Sequence, residues 1–337
     1  MSTAVLKFGG TSVATSDRRE QVYDKIEENR KIHDNIVVVV SAQGREGSPY
    51  ATDTLLNLVK SECMSYSERE LDMIYSCGEV ISSSIIASNL IDRGIDAVSL
   101  TGGQAGIITD RNFGDANVYD VDTRNIMRHF NKGRVVVVAG SQGRTIDDEI
   151  TTLGRGGSDT TAVLLGIHLN ADETIIYTDV EGIMTADPRL VEESKVMKSV
   201  GFDFCLNYAE NGAKVIHDKA VRLAMKNDYE NVCIRSTFSE SKGTRIQRNS
   251  AENLGFGYDS ARERGRIVIG DSELKYKKLL RDIIAKNDGI QVGRHDNIIE
   301  FEFYGGERTK NIEAIHDGLV KCIFTEERKN GRSVKSD

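Results

Sequence analysis

Five cysteines, Cys63, Cys77, Cys205, Cys233 and Cys322, are scattered over 337 residues with no C-x-x-C pair, and no His/Cys group has the spacing of a zinc site. An odd, unpatterned set reads as reduced, mostly buried thiols and makes the expected compartment the cytoplasm. The N-terminus has neither a basic n-region nor an apolar h-region. Apolar runs such as Ile36–Val40 and Val135–Ala139 are far too short to cross a bilayer, so no targeting or membrane role is expected. Positive charge is also in deficit: 44 Lys and Arg against 52 Asp and Glu leave a net charge of −8. That balance argues against a nucleic-acid or anionic-membrane partner, and any anion site must be locally cationic within an acidic surface. Beyond these absences the composition is ordinary. A chain 39% hydrophobic and 28% charged is long enough for one large core and a smaller one, and two domains are expected.

Strand-like runs at Ala4–Phe8, Ile36–Ser41, Ala97–Leu100, Val135–Ala139, Thr174–Thr178 and Val232–Arg235 alternate with segments of helical periodicity. Leu71, Ile74, Tyr75, Gly78, Ile81 and Ile85 mark one helical stripe, and Leu55, Leu56 and Val59 another. The alternation predicts βαβ units, hence a mostly parallel sheet with helices on both faces and ligand-bearing loops at one sheet edge. The polar stretch 247–265 lacks periodicity and reads as a linker between a catalytic domain at 1–246 and a small module at 266–326, with a polar tail at 327–337. The module predicts a βαββαβ order: strand Arg266–Gly270, helix Glu273–Ala285, strands Ile290–Val292 and Ile298–Tyr304, helix Thr309–Leu319, strand Val320–Thr325.

The chemistry-bearing motifs sit at or just after strand ends. In Lys7-Phe8-Gly9-Gly10-Thr11-Ser12, a buried strand ends in two glycines and two hydroxyls, where backbone N–H groups can approach an anion. A lysine at such a strand end is costly unless it faces a cleft and a negative partner, for which a phosphate chain is the usual candidate; the alternative is a plain turn. Gly154-Arg155-Gly156-Gly157-Ser158-Asp159 is a flexible backbone with a guanidinium placed to grip a carboxylate or phosphate, and Ser158-Asp159 open a helix as cap residues would. Ser76-Cys77-Gly78-Glu79 puts a glycine inside an apolar helix, as if something approaches its backbone there, and Glu79 could accept an ammonium. At the next strand tip, Thr178 and Asp179 can hydrogen-bond a nucleotide, and Arg189 can reach phosphates. Lys214 adds a second lysine near a helix start, where His217 reads as structural. There is no P-loop, no His-Arg-Asp or Asp-Phe-Gly tripeptide and no Gly-x-Ser-x-Gly elbow. A phosphotransferase must therefore use another architecture.

Together these motifs resemble those of the aspartate kinases, in the amino-acid kinase superfamily, over about residues 4–246. Lys7–Ser12, Ser41-Ala42 with Ala51-Thr52-Asp53, Ser76–Glu79, Gly154–Ala162, Thr178–Arg189 and Gly212–His217 stand in family order, and Gly47-Ser48-Pro49-Tyr50-Ala51-Thr52-Asp53 is similar to a bacterial subtype. The resemblance implies a three-layer α/β/α sandwich with a mostly parallel sheet; family members usually carry paired ACT modules after it, whereas this chain has room for one divergent ACT-like βαββαβ module. It also implies phosphorylation of the side-chain carboxylate of L-aspartate by ATP, the first step toward lysine, threonine and methionine. By position, Lys7 and Asp159 would be catalytic, and Thr52, Glu79, Arg155 and Ser158 would hold aspartate. Lys7, Gly9, Gly10, Thr178, Asp179, Met184, Arg189, Lys214 and Val215 would bind ATP, with Mg²⁺ carried by the nucleotide rather than by a protein cage. Met184 stands where the family often has tyrosine, and Asp218 where proline is usual.

Two other readings fit the same residues. One is an amino-acid kinase acting on glutamate or N-acetylglutamate; Glu79 argues against an acylated amine, which would leave a buried carboxylate without its ionic partner. The other is an inactive amino-acid-sensing subunit, against which stand Lys7, Arg155, Asp159 and Asp179, groups a sensor does not need. A lone βαββαβ unit exposes sheet edges best covered by another copy, so a homodimer is expected, with weak or no feedback by lysine or threonine.

Overall fold

A computed structural model describes residues 1–210, 215–248, 254–259, 264–269, 277–295, 298–303, 310–318 and 320. In chain order the elements are β1 (Thr3–Phe8), α1 (Ser16–Arg30), β2 (Asn35–Val40), α2 (Thr52–Glu62), α3 (Glu68–Asp92), β3 (Ala97–Leu100), β4 (Ile107–Thr109), β5 (Val118–Val121), α4 (Arg124–Phe130), β6 (Val135–Ala139), β7 (Gln142–Arg144), β8 (Ile150–Thr152), α5 (Gly157–His168) and β9 (Glu173–Thr178). They continue with β10 (Ser199–Gly201), α6 (Phe202–Glu210), α7 (Asp218–Lys226), β11 (Val232–Ser236), β12 (Thr244–Gln247), β13 (Leu254–Asp259), β14 (Arg264–Ile269), α8 (Lys277–Lys286), β15 (Gly289–His295), β16 (Ile298–Phe303) and a helix at 310–318. The chain forms two compact units, Met1–Val180 with Ile216–Ser241, and Glu181–Val215 with Lys242–Asp337.

The first unit is built on parallel strands in the order β11-β9-β1-β2-β6-β3. Every residue of β2 and of β6 is buried, as strands covered on both faces must be, which is why both read as unbroken valine runs. On one face Ala4, Leu6 and Phe8 meet Val22, Tyr23 and Ile26 of α1 and Ile86, Ala87 and Leu90 of α3. Helix α5 packs against β1, β2 and β9, and the three layers match the expected sandwich. The chain leaves β1 first toward β2 and returns on its other side as β9, so the strand order switches beside β1, where open parallel sheets bind ligands.

A second sheet in this unit, β5-β4-β7-β8, was not legible: its strands are three or four residues long. In helix α3 the expected stripe is buried at Leu71 and Gly78 and half-buried at Ile74, Tyr75, Ile81 and Ile85, and the buried face extends to Asp72, Ser76, Glu79, Ser83, Ile86 and Leu90, because polar side chains on this helix bond neighbouring loops. The 25-residue α3 is the one described helix long and apolar enough to cross a bilayer, yet it joins the core through Ile86, Ala87 and Leu90. Of the four described cysteines, Cys63 and Cys77 are exposed while Cys205 and Cys233 are buried; Cys322 lies outside the described residues.

In the second unit β10 pairs with β12 in parallel, and a four-stranded antiparallel sheet runs β13-β14-β16-β15. Ion pairs Arg264–Glu302 and Arg266–Glu300, both at 2.8 Å, tie β14 to β16. Two expected boundaries fail here. The stretch 247–265 is not simply a linker, since Leu254–Asp259 is the strand that pairs with β14. Nor is 1–246 one domain: Ala186 and Val191 join Phe256, Ile267, Ile284, Ile299, Phe301, Ile312 and Ile315 in one core, which assigns 181–215 to the second unit. The helix predicted at Glu273–Ala285 is described from Lys277, and Val320 is helical; residues 321–325 of the predicted last strand lie outside the described residues.

Candidate active site

Lys7 is the next-to-last residue of β1, so its side chain leaves the sheet at the edge where parallel strands deliver their loops. Its Nζ lies 2.6 Å from Asp159 Oδ1, and both side chains are close to nine-tenths buried. Asp159 sits in the first turn of α5, where the helix dipole favours a carboxylate, and its Oδ2 accepts the backbone N–H of His217 at 3.0 Å. The expected cap is therefore displaced. The N-cap is Gly156, in the left-handed region at φ +70, and Asp159 instead ties α5 to Lys7 and to the start of α7. At Gly156 a Cβ would fall 1.9 Å from the His217 ring, so only glycine fits. His217 caps α7, its Nδ1 accepting Lys219 N–H at 3.4 Å, the structural role expected of it.

The loop after β1 is held open-handed. Gly9 O accepts the N–H groups of Ser12 and Val13 at 2.9 and 3.3 Å, and Ser12 Oγ lies 2.8 Å from Thr237 Oγ1 beyond β11. Gly10 O accepts Gly44 N–H at 2.9 Å, and a Cβ on Gly10 would sit 2.5 Å from Ala42 O. The loops after β1 and β2 thus touch backbone to backbone. The loop after β2 also explains Gly78, whose added Cβ would meet Ala42 Cβ at 2.8 Å and Tyr50 O at 2.9 Å: what approaches α3 there is this loop.

Glu79 is 1% exposed. Its Oε1 accepts Ala42 N–H at 3.3 Å and its Oε2 has no partner among the described residues. Burial drives its carboxyl up to about 8, as expected for an acid lacking a countercharge. Ser158 is buried beside Gly140, Thr52 opens α2, and Arg155 is exposed. Thr178 ends β9, with its hydroxyl 3.3 Å from Asp179 Oδ1.

Lys7, Gly9, Gly10, Asp159 and Ser158 therefore gather at the ends of β1 and β6 and the start of α5, with Glu79 against the loop after β2. Met184, Arg189 and Val215 belong to the second unit, and Lys214 lies outside the described residues. Arg189 is exposed and committed to its own turn: Nε and Nη2 grip Asp187 at 3.0 and 2.6 Å, which also lowers the Asp187 carboxyl below its ordinary range. Its guanidinium is 87% exposed in that pair, and its expected reach toward a phosphate stays a proposal.

Several positioned residues escaped the sequence reading. Asp72, 2% exposed, accepts Gly114 N–H at 3.0 Å, Thr152 N–H at 2.8 Å and the Thr152 hydroxyl at 2.5 Å, pinning the second sheet to α3. Asp115 pairs with Lys219 and would crowd a Cβ on Gly154. Ser141 holds φ +63, unusual for a non-glycine residue, and its Oγ lies 3.0 Å from Tyr75 OH and 2.1 Å from a Cβ built on Gly157. Arg45 reaches Thr11 and Asp179. A buried Asp in an otherwise apolar helix was the one available signal, at Asp72. Among the described residues no group of three or more His, Cys, Asp or Glu could hold a metal ion.

Parallel strands with a lysine and a glycine pair at the switch point, facing a helix start, form an arrangement suited to an anionic ligand such as a phosphate. A profile of the amino acid kinase family matches residues 2–236. Aspartokinase 1 of Bacillus subtilis (strain 168) is 43% identical over 255 residues, covering 76% of this chain and 63% of that protein. Aspartate kinase Ask_LysC of Stutzerimonas stutzeri (strain A1501) is 40% identical over 315 residues, covering 90% and 75%. The fold matches the crystal structure of E. coli aspartokinase III in complex with aspartate and ADP (R-state), with a TM-score of 0.73, 19% identity and coverage of 94% of this chain and 100% of that one. The chain belongs to the amino acid kinase family and, within it, to the aspartokinases. It spans about three-fifths of the length of several Bacillus and Geobacillus relatives that it matches, 63% and 59% in two of them.

Proposed function

We propose that this protein transfers the γ-phosphoryl group of ATP to the side-chain carboxylate of L-aspartate, giving 4-phospho-L-aspartate, the first step of lysine, threonine and methionine biosynthesis. The observation that carries the reading is the Lys7–Asp159 pair at 2.6 Å beside the Gly9-Gly10 turn. A carboxylate is already a nucleophile and needs no strong base. The barrier is bringing two anions together while charge spreads over the moving phosphoryl group. Lys7 supplies the compensating charge. Asp159 holds the ammonium in place, and the glycine turn lets phosphate oxygens approach backbone N–H groups.

On the acceptor side, Glu79 takes the aspartate ammonium, Arg155 the α-carboxylate, and Thr52 and Ser158 complete the pocket. A buried carboxyl with one unpartnered oxygen is the chemistry a cation would satisfy, which favours a free amino group over an acylated one. Thr178 and Asp179 serve the nucleotide, and Met184, Arg189, Lys214 and Val215 stay in the same proposal from family position. Mg²⁺ fits as a passenger on ATP: Asp159 has one oxygen on Lys7 and the other on His217 N–H, so the metal would be held by phosphate oxygens, where it lowers the charge that Lys7 must offset. Trapping the acyl phosphate with hydroxylamine in the presence of ATP and aspartate, glutamate or N-acetylglutamate tests the reading. A clear aspartate preference is expected; preference for either alternative, or no product, overturns it.

A further inference from the structure

The loop after β2 carries a cation that the proposed mechanism leaves unused. Arg45 Nε lies 3.3 Å from Thr11 Oγ1, on the turn proposed to receive phosphate, and Nη2 lies 3.3 Å from Asp179 Oδ2, at the tip of β9. One guanidinium therefore spans two of the loops that the switch point brings together, with its Nη1 left over among the described contacts. Its backbone is anchored close by, because Gly44 N–H bonds Gly10 O at 2.9 Å and a Cβ on Gly10 would collide with Gly44 O at 2.7 Å. The head group is 77% exposed and Asp179 43% exposed, so water and salt screen this pair and its exchange for a stronger partner costs little. A phosphate oxygen is such a partner, since its charge-assisted bonds to a guanidinium fork are shorter and stronger.

Resting on the kinase reading above, we infer that Arg45 is a nucleotide-binding residue: it leaves Asp179 and closes over the terminal phosphates of the bound nucleotide, at the Thr11 side of the site. The Arg45–Asp179 pair is then the empty-site arrangement. Nucleotide binding releases Asp179 for a hydroxyl of the same ligand.

The test is ADP titration calorimetry on the full chain, wild type against Arg45→Ala and Arg45→Lys, at low and high salt, with thermal melts to confirm that the variants fold. Arg45→Ala should weaken ADP binding by about tenfold or more and flatten its dependence on salt, while KM for aspartate stays unchanged. Arg45→Lys, which keeps the charge and loses the fork, should fall between the two. Equal ADP affinity and equal salt dependence in folded Arg45→Ala overturn the inference and leave the kinase reading standing. A wild-type chain that binds no ADP overturns both.

Discussion

At the scale of single residues, environment decides what each side chain does. Lys7→Ala should lower kcat by roughly two orders of magnitude or more while the fold persists, with a lower thermal midpoint because the buried Asp159 loses its countercharge and keeps only the His217 N–H bond. Near-normal turnover would take Lys7 out of the mechanism. Glu79 makes a pH prediction. Burial pushes its carboxyl up to about 8, so at lower pH the proton is held and must leave before an ammonium is received. KM for aspartate should fall as pH rises from 6 toward 8, by up to about tenfold per unit at the low end, and level off above. In Glu79→Gln, initial rates across the same range should show a raised KM without that slope. The same raised value means that Glu79 favours the folded state most fully below its ordinary value of 4.5, and that this contribution is lost as pH climbs through about 8.

At the scale of elements, the site depends on backbone approaches that no side chain could tolerate. Gly156 and Gly133 share a left-handed φ, +70 and +72, but a Cβ on Gly156 meets the His217 ring and one on Gly133 meets nothing within 4 Å. Gly133→Ala should therefore show strain alone, about 1 kcal/mol, in chemical denaturation. Gly156→Ala should lose clearly more and should reduce kcat as well, since α5 presents Asp159 to Lys7. Equal losses in the two variants would mean that the α5–α7 junction does not matter. The elements also show what was legible beforehand. Long buried strands announce themselves by valine runs, and the glycine turns by composition. The β4, β5, β7 and β8 strands do not, because three or four residues carry no usable period, and the buried side of α3 proved wider than the apolar stripe because hydrogen bonds to Ala42, Gly114 and Thr152 let Glu79 and Asp72 go inside.

At the scale of the whole molecule, the antiparallel sheet of the second unit carries an interaction prediction. Among the described strands β15 lies at an edge and exposes Ile290 at 53% and Val292 at 41%, an unusual choice for a solvated edge. We predict a homodimer paired through this edge, visible by light scattering, with Ile290→Lys and Val292→Lys shifting it toward monomer; a wild-type monomer would remove the pairing. By itself the amino-acid order determined the α/β alternation, the parallel core and the family, because periodicity, glycine clusters and a strand-end lysine are local signals. Only the tertiary structure decided which residues meet. It set Asp159 on Lys7 as the family resemblance implied but made Gly156 the cap of α5, turned Arg189 back onto Asp187, brought Arg45 to Thr11 and Asp179, and moved 181–215 into the second unit by burying Ala186 and Val191 in its core. Partnerships between residues far apart in the chain are set by packing and charge compensation, and neither leaves a local pattern to read.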